Sequence, residues 1–188
     1  MTKTAAGAVA TYSFTVNVWQ PEGRPTGQGG TGNPGLDIRF TVSSPQVSAV
    51  SVKPATQPMV AYLAGDSTVC DQLIAPYTGW GQMITTAVRP GAAVANYAVS
   101  GESSGSFRSN SALFPRLLSK ARADDAVFIQ FGHNDKQTSA SAFRSNLRSM
   151  ITQVRAKGGV PVLVTPPVRR QFNGNRLTAT ALTSTACA

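Results

Sequence analysis

The chain has 188 residues, of which 41% are hydrophobic and 13% charged, with 17 Lys and Arg against 8 Asp and Glu and a formal net charge of +9. This fits one globular domain of ordinary size with room for a small second unit, and it excludes a disordered tail. No apolar run reaches the ~18 residues of a membrane span, and the opening MTKTAAGAVA lacks the apolar block of a signal peptide.

Two cysteines, Cys70 and Cys187, are too few for a disulfide framework or a four-ligand zinc site. Whether they pair with each other stays open. One histidine, His133, excludes any mechanism that needs two from this chain. The charge is uneven: residues 101–188 carry twelve basic and four acidic side chains, residues 1–100 five and four. Such a basic half suits an anionic partner such as an acidic polysaccharide, or it is a solvated face that keeps the protein soluble. The arginines are single or paired without interleaved aromatics, so nucleic acid is not the expected partner.

Residues 1–57 read as a β-rich accessory segment resembling part of a β-sandwich. TYSFTVNVW (11–19) alternates apolar and polar residues, a Gly/Pro loop follows at 21–35, and LDIRFTV (36–42) and VSAVSVKP (47–54) are further strand candidates. The proline-bounded KPATQP (53–58) links this segment to a second unit spanning 58–188.

From residue 59 strands and helices alternate. MVAYLA (59–64), VANYAVS (94–100), DAVFIQF (125–131) and VPVLVT (160–165) are apolar runs of the buried parallel-strand kind. Between them, helical spacing joins Trp80, Met83, Ile84, Ala87 and Val88, and then Leu113, Phe114, Leu117, Leu118 and Ala121, with Pro115 tolerated in the first turn. Residues 141–157 form the clearest helix. Phe143, Leu147, Met150, Ile151 and Val154 line one face, Arg144, Arg148 and Arg155 the other, and Gly158 suits the position after its end. This order predicts a three-layer α/β/α fold on a parallel sheet.

Ligands of such sheets bind beyond the carboxyl ends of the strands. Three of the four predicted strands end in residues able to do chemistry: Gly65-Asp66-Ser67-Thr68, Ser100-Gly101-Glu102-Ser103-Ser104 and Gly132-His133-Asn134-Asp135. A Gly-Asp-Ser turn alone is weak, whereas the three in this order are specific.

The segments YLAGDSTVCDQ, TGWGQM, NYAVSGESSGSF, FIQFGHNDK and TPPVRRQF resemble the SGNH (GDSL-like) hydrolases, the rhamnogalacturonan acetylesterase branch in particular, over roughly residues 59–176. That resemblance implies a flavodoxin-like sheet and a serine esterase that removes O-acetyl groups from a pectic or related polysaccharide outside the cell, with no metal or organic cofactor. It implies Ser67 as nucleophile, with the Gly101 backbone N–H and the Asn134 side-chain amide completing an oxyanion hole with the Ser67 N–H. Asp66, His133 and Asp135 are expected around the substrate. Of these, Asp66 supports the turn that presents Ser67, His133 is a pocket-wall residue, and Asp135 caps the next loop or the pocket rim.

The family's base is a histidine in an Asp-x-x-His motif after a fifth strand, and this motif is absent here. His133 adjoins Asn134, and neighbouring side chains diverge at a strand end, so it is a poor substitute. Three explanations stand side by side: a chain truncated or frameshifted before the motif, a base supplied by another chain, or a non-catalytic carbohydrate-binding relative. Truncation is the favoured one, and an open sheet edge where a fifth strand would lie predicts self-association.

Overall fold

A computed structural model describes residues 7–17, 47–72, 76–168 and 171–178. Four parallel strands build the sheet: β1 (Met59–Gly65), β2 (Ala92–Asn96), β3 (Ala126–Gln130) and β4 (Val160–Leu163), in the spatial order β2-β1-β3-β4. β1 is central and buried from Val60 onward, which is why its sequence is a continuous apolar run. In register, Leu63 stands beside Asn96 and Phe128, so the carboxyl ends of β1, β2 and β3 finish side by side.

Helices α2 (Ser104–Ser109), α3 (Phe114–Lys120) and α4 (Ala140–Ala156) cover one face of the sheet. Their apolar sides meet Val60, Tyr62, Val127, Ile129 and Phe131 in the main core, with Phe107, Phe114, Leu117, Phe143, Met150 and Val154 buried. α4 has the expected amphipathicity, and its three arginines are exposed. Ser139 caps its start by accepting from the Ala142 N–H, and Gly158 ends it at φ +77°.

The other face carries α1 (Trp80–Met83) and a following 3-10 turn, Ile84–Ala87, over a smaller core of Leu63, Val69, Cys70 and Ala98. The single helix expected over 80–88 is therefore split. Thr85 and Thr86 donate their hydroxyls back to the Gln82 and Met83 carbonyls, which favours the tighter turn.

Some expectations differ from the structure. Residues 11–17 and 47–54 form no strand; Tyr12, Phe14, Val50 and Val52 are exposed, and among the described residues no partner strand lies beside them to close a ladder. Residues 36–42 and Cys187 lie outside the described residues. The second strand begins earlier and ends at Asn96 rather than Ser100, because Asn96 accepts from the Ala98 N–H and bends the chain. Pairing to β1 persists through the Tyr97 and Val99 N–H groups, which bond Leu63 O and Gly65 O. A small hairpin of β5 (Phe172–Asn173) and β6 (Arg176–Leu177) was not foreseen, nor was α2.

Candidate functional site

Ser67 follows the central strand, half-buried on a tight turn. The Asp66 carbonyl accepts from the Val69 and Cys70 N–H groups, both at 3.0 Å, closing the backbone beneath Ser67. The Asp66 side chain braces the same turn: its Oδ1 accepts from Thr68 N–H at 2.9 Å and from the Thr68 hydroxyl at 2.8 Å. The segment Gly79-Trp80-Gly81 lies against this turn, with Trp80 N–H bonded to Thr68 O and Gly81 N–H to Val69 O. Both glycines are required by space, since a Cβ on Gly79 would be driven into Cys70 O and one on Gly81 into Val69 O.

The strands flanking β1 lead to the other two motifs. After β2 the chain turns through Gly101 at φ +88° into the N-terminus of α2. After β3 it passes Gly132 at φ +140° into His133-Asn134-Asp135. Asn134 is exposed and its side-chain amide donates to Glu102 O at 3.0 Å, so it lies against the loop that carries Gly101. His133 is half-buried.

Two of the residues expected around the substrate, Asp66 and Asp135, are buried. Asp135 is 1% exposed; its carboxylate accepts from the Ser104 N–H at 3.1 Å and from the Ser104 hydroxyl at 2.6 Å. It therefore caps α2 and joins the two loops. Asn146 of α4 completes this buried cluster by donating to Ser104 Oγ, and Arg108 Nε donates to Asn146 Oδ1. Asp66 is fully buried, one oxygen held by Thr68 and Oδ2 without a hydrogen-bond partner among the described residues. It supports the turn, as its position beside Ser67 suggested.

Beside Ser67 opens a cleft of about 770 Å³ lined by Thr68, Gln72, Tyr77, Trp80, Phe128 and Gln130, among others. Gln130 was not foreseen as a site residue. Its signal was a lone amide closing the apolar run VFIQ, where a buried polar group must find partners.

A model of the GDSL-like lipase/acylhydrolase family matches residues 63–185. The rhamnogalacturonan acetylesterase RhgT of Bacillus subtilis (strain 168) is 37% identical over 125 residues, which is 63% of this chain and 53% of that protein. YxiM of the same bacterium, described as an uncharacterized esterase, is 33% identical over 138 residues, 69% of this chain and 36% of its own length. The chain thus spans about half of RhgT and about a third of YxiM. The crystal structure of YxiM superposes with a TM-score of 0.59 at 28% identity, over 73% of this chain and 43% of that one. A putative lipolytic protein of the G-D-S-L family from Desulfitobacterium hafniense DCB-2 shares the fold, with a TM-score of 0.51 at 16% identity over 68% of this chain and 67% of its own. With the matched span covering most of the sheet and all three strand-end motifs, the chain belongs to the GDSL-like lipase/acylhydrolase (SGNH) family.

Proposed function

We propose that the chain is a serine carbohydrate esterase that removes O-acetyl groups from a pectic or related polysaccharide. The observation that carries this reading is topological. The strand leading to Ser67 lies between the strands leading to Gly101 and to Asn134. A nucleophile is thereby flanked by two donor-bearing loops at one end of the sheet, where such folds bind ligands. The name of RhgT and the basic half of the chain support an acetylated, uronate-containing substrate. A polymer of this kind is met outside the cell, so the protein is placed there.

In the proposed reaction Ser67 Oγ attacks the acetyl carbonyl carbon and passes its proton to solvent water. The carbonyl oxygen, now an oxyanion, is held by the Ser67 and Gly101 N–H groups and the Asn134 amide. Collapse breaks the bond to the sugar oxygen, which takes a proton from solvent water and leaves as a hydroxyl; a second water cleaves the acetyl-serine, giving acetate and restoring the Ser67 hydroxyl. Each donor of such a hole is worth about 10²–10³ in rate. The reading assigns no base: the chain has one histidine, adjoining Asn134, and no Asp-x-x-His. Serine hydrolases stripped of a triad member retain roughly 10³–10⁴-fold catalysis over water, so residues 1–188 by themselves are expected to turn over slowly.

The test is acetate release from acetylated rhamnogalacturonan by the wild type and Ser67→Ala. Release that disappears in the variant supports the assignment; equal release from both sinks it. The alternative reading is a carbohydrate-binding relative without turnover. Fluorophosphonate labelling separates the two, because only an activated serine reacts.

A further inference from the structure

We infer that Gln130 and Trp80 are positioning residues for Ser67, acting through a one-way chain of hydrogen bonds that ends on Asp66. The inference rests on Ser67 as nucleophile and goes beyond it by assigning a task to two side chains from outside the three motifs. Trp80 Nε1–H donates to Gln130 Oε1 at 2.8 Å, Gln130 Nε2–H donates to Thr68 Oγ1, and the Thr68 hydroxyl donates to Asp66 Oδ1 at 2.8 Å. These groups come from α1, β3 and the turn after β1, 50 and 62 residues apart for the first two bonds.

The direction of the chain follows from chemistry. An indole N–H only donates, so the Gln130 amide must present its oxygen to Trp80 and its nitrogen to Thr68. The Thr68 oxygen then accepts, and its single proton is free only for Asp66, an acceptor when ionised. One orientation satisfies every member, and each bond polarises the next. Gln130 is 1% exposed and Asp66 fully buried, so water does not offer an easy alternative. Trp80 is anchored twice, since its backbone N–H also bonds Thr68 O. The turn bearing Ser67 is thus held from beneath by Asp66 and from the side by Trp80. Both Thr68 and Gln130 line the cleft beside Ser67.

This arrangement separates direction from packing. Gln130→Glu has nearly the same shape, but its ionised carboxylate accepts from both Trp80 and Thr68. The Thr68 proton is drawn away from Asp66, and the turn loses one of the two bonds by which Asp66 Oδ1 braces it. Protonated, the same Glu again presents one acceptor and one donor. Thr68→Ser keeps the hydroxyl, whereas Thr68→Val removes it at similar volume.

The experiment measures fluorophosphonate labelling of Ser67 from about pH 5 to pH 8, thermal melting, and deuterium exchange of the amides of residues 66–70. Gln130→Glu is expected to label about tenfold to a hundredfold slower than wild type near pH 8, the loss typical of small misplacements at a reacting centre. Its ratio to wild type should rise toward one as the pH falls to the carboxyl range. Thr68→Ser should stay within about threefold of wild type and Thr68→Val should match Gln130→Glu. Labelling of Gln130→Glu at the wild-type rate at every pH overturns the inference, as do losses that track melting temperature alone across the variants. A Gln130→Glu chain that fails to fold leaves the Thr68 pair to decide in the same way. If wild type labels no faster than Ser67→Ala, the nucleophile assignment fails by itself. The chain of bonds is then judged by exchange: faster exchange confined to residues 66–70 in Gln130→Glu and Thr68→Val upholds it, and unchanged exchange overturns it.

Discussion

Asp125 shows how one carboxylate organises a strand entry. It is 2% exposed, and its Oδ1 accepts from the Val60 N–H at 2.8 Å while Oδ2 accepts from the Arg122 N–H at 2.9 Å. The Arg122 guanidinium reaches past it to Pro58 O at 2.7 Å, tying the start of β1 to the loop before β3. Asp125→Ala leaves buried N–H groups without acceptors, and a loss of about 2–4 kcal/mol is expected in urea unfolding. Asp125→Asn, which keeps an acceptor oxygen, should lose about half as much. Gly81→Ala belongs to the same scale. Its Cβ collides with Val69 O and approaches Leu63 Cδ1 at 2.7 Å, so about 1–3 kcal/mol of overpacking is expected, with slowed Ser67 labelling because the turn must shift.

At the scale of elements, α2 is too short to hold itself. Six residues form barely more than one turn, and isolated helices of that length do not persist in water. Three things fix it: the reciprocal capping box of Ser103 and Ser106, the Asp135 carboxylate on the Ser104 N–H, and the burial of Phe107. Ser103→Ala should cost about 1 kcal/mol by calorimetry. Asp135→Ala should cost more and also slow Ser67 labelling, since it releases the Gly101 loop from the Asn134 loop. If Asp135→Ala lowers stability but leaves labelling untouched, the link between cap and oxyanion loop is wrong.

Two predictions belong to the whole molecule. The first concerns pH. Tyr62 packs against Tyr97 with ring centroids 6.0 Å apart and donates its hydroxyl to Lys120 O, the end of α3. Burial first, then the nearby Asp125 and Tyr97, push its phenol up to about 12, with Arg122 opposing. The folded state therefore holds the Tyr62 proton after the unfolded chain has released it. This contribution is complete below about pH 10 and is lost as pH rises from about 10 to 12. Urea midpoints should fall over that window, and less steeply in Tyr62→Phe; parallel curves for the two proteins refute the assignment. The second concerns association. β4 is an edge strand among the described residues, with Val160 and Leu163 about half exposed and no charged residue along it. Val160 and Val164 direct their N–H groups inward to β3, and Pro161, between them, has no N–H to offer. Extended strand pairing is thus blunted, and weak association through the apolar side chains is expected. Sedimentation velocity should show concentration-dependent self-association that Leu163→Lys abolishes; a monodisperse monomer at all concentrations refutes it.

The four strands, the long α4 and the three strand-end motifs were legible in the sequence because each depends on local periodicity and on turn residues. MVAYLA reads as one apolar run and is buried on both sides from Val60 onward; Phe143, Met150 and Val154 recur at helical spacing and do face the core. The strand segments expected at 11–19 and 47–54 form no strand in their described residues, since alternation specifies a face and not a partner. What the sequence by itself determined is a parallel α/β domain with a serine at the end of one strand and a single histidine beside Asn134. Only the tertiary structure decided that β1 lies between β2 and β3, that Asp135 is a buried brace on Ser104, and that Gln130 meets Trp80 and Thr68. The physical reason is that these contacts join residues 31 to 62 positions apart, and a hydrogen bond across that distance exists only once packing has removed the competing water.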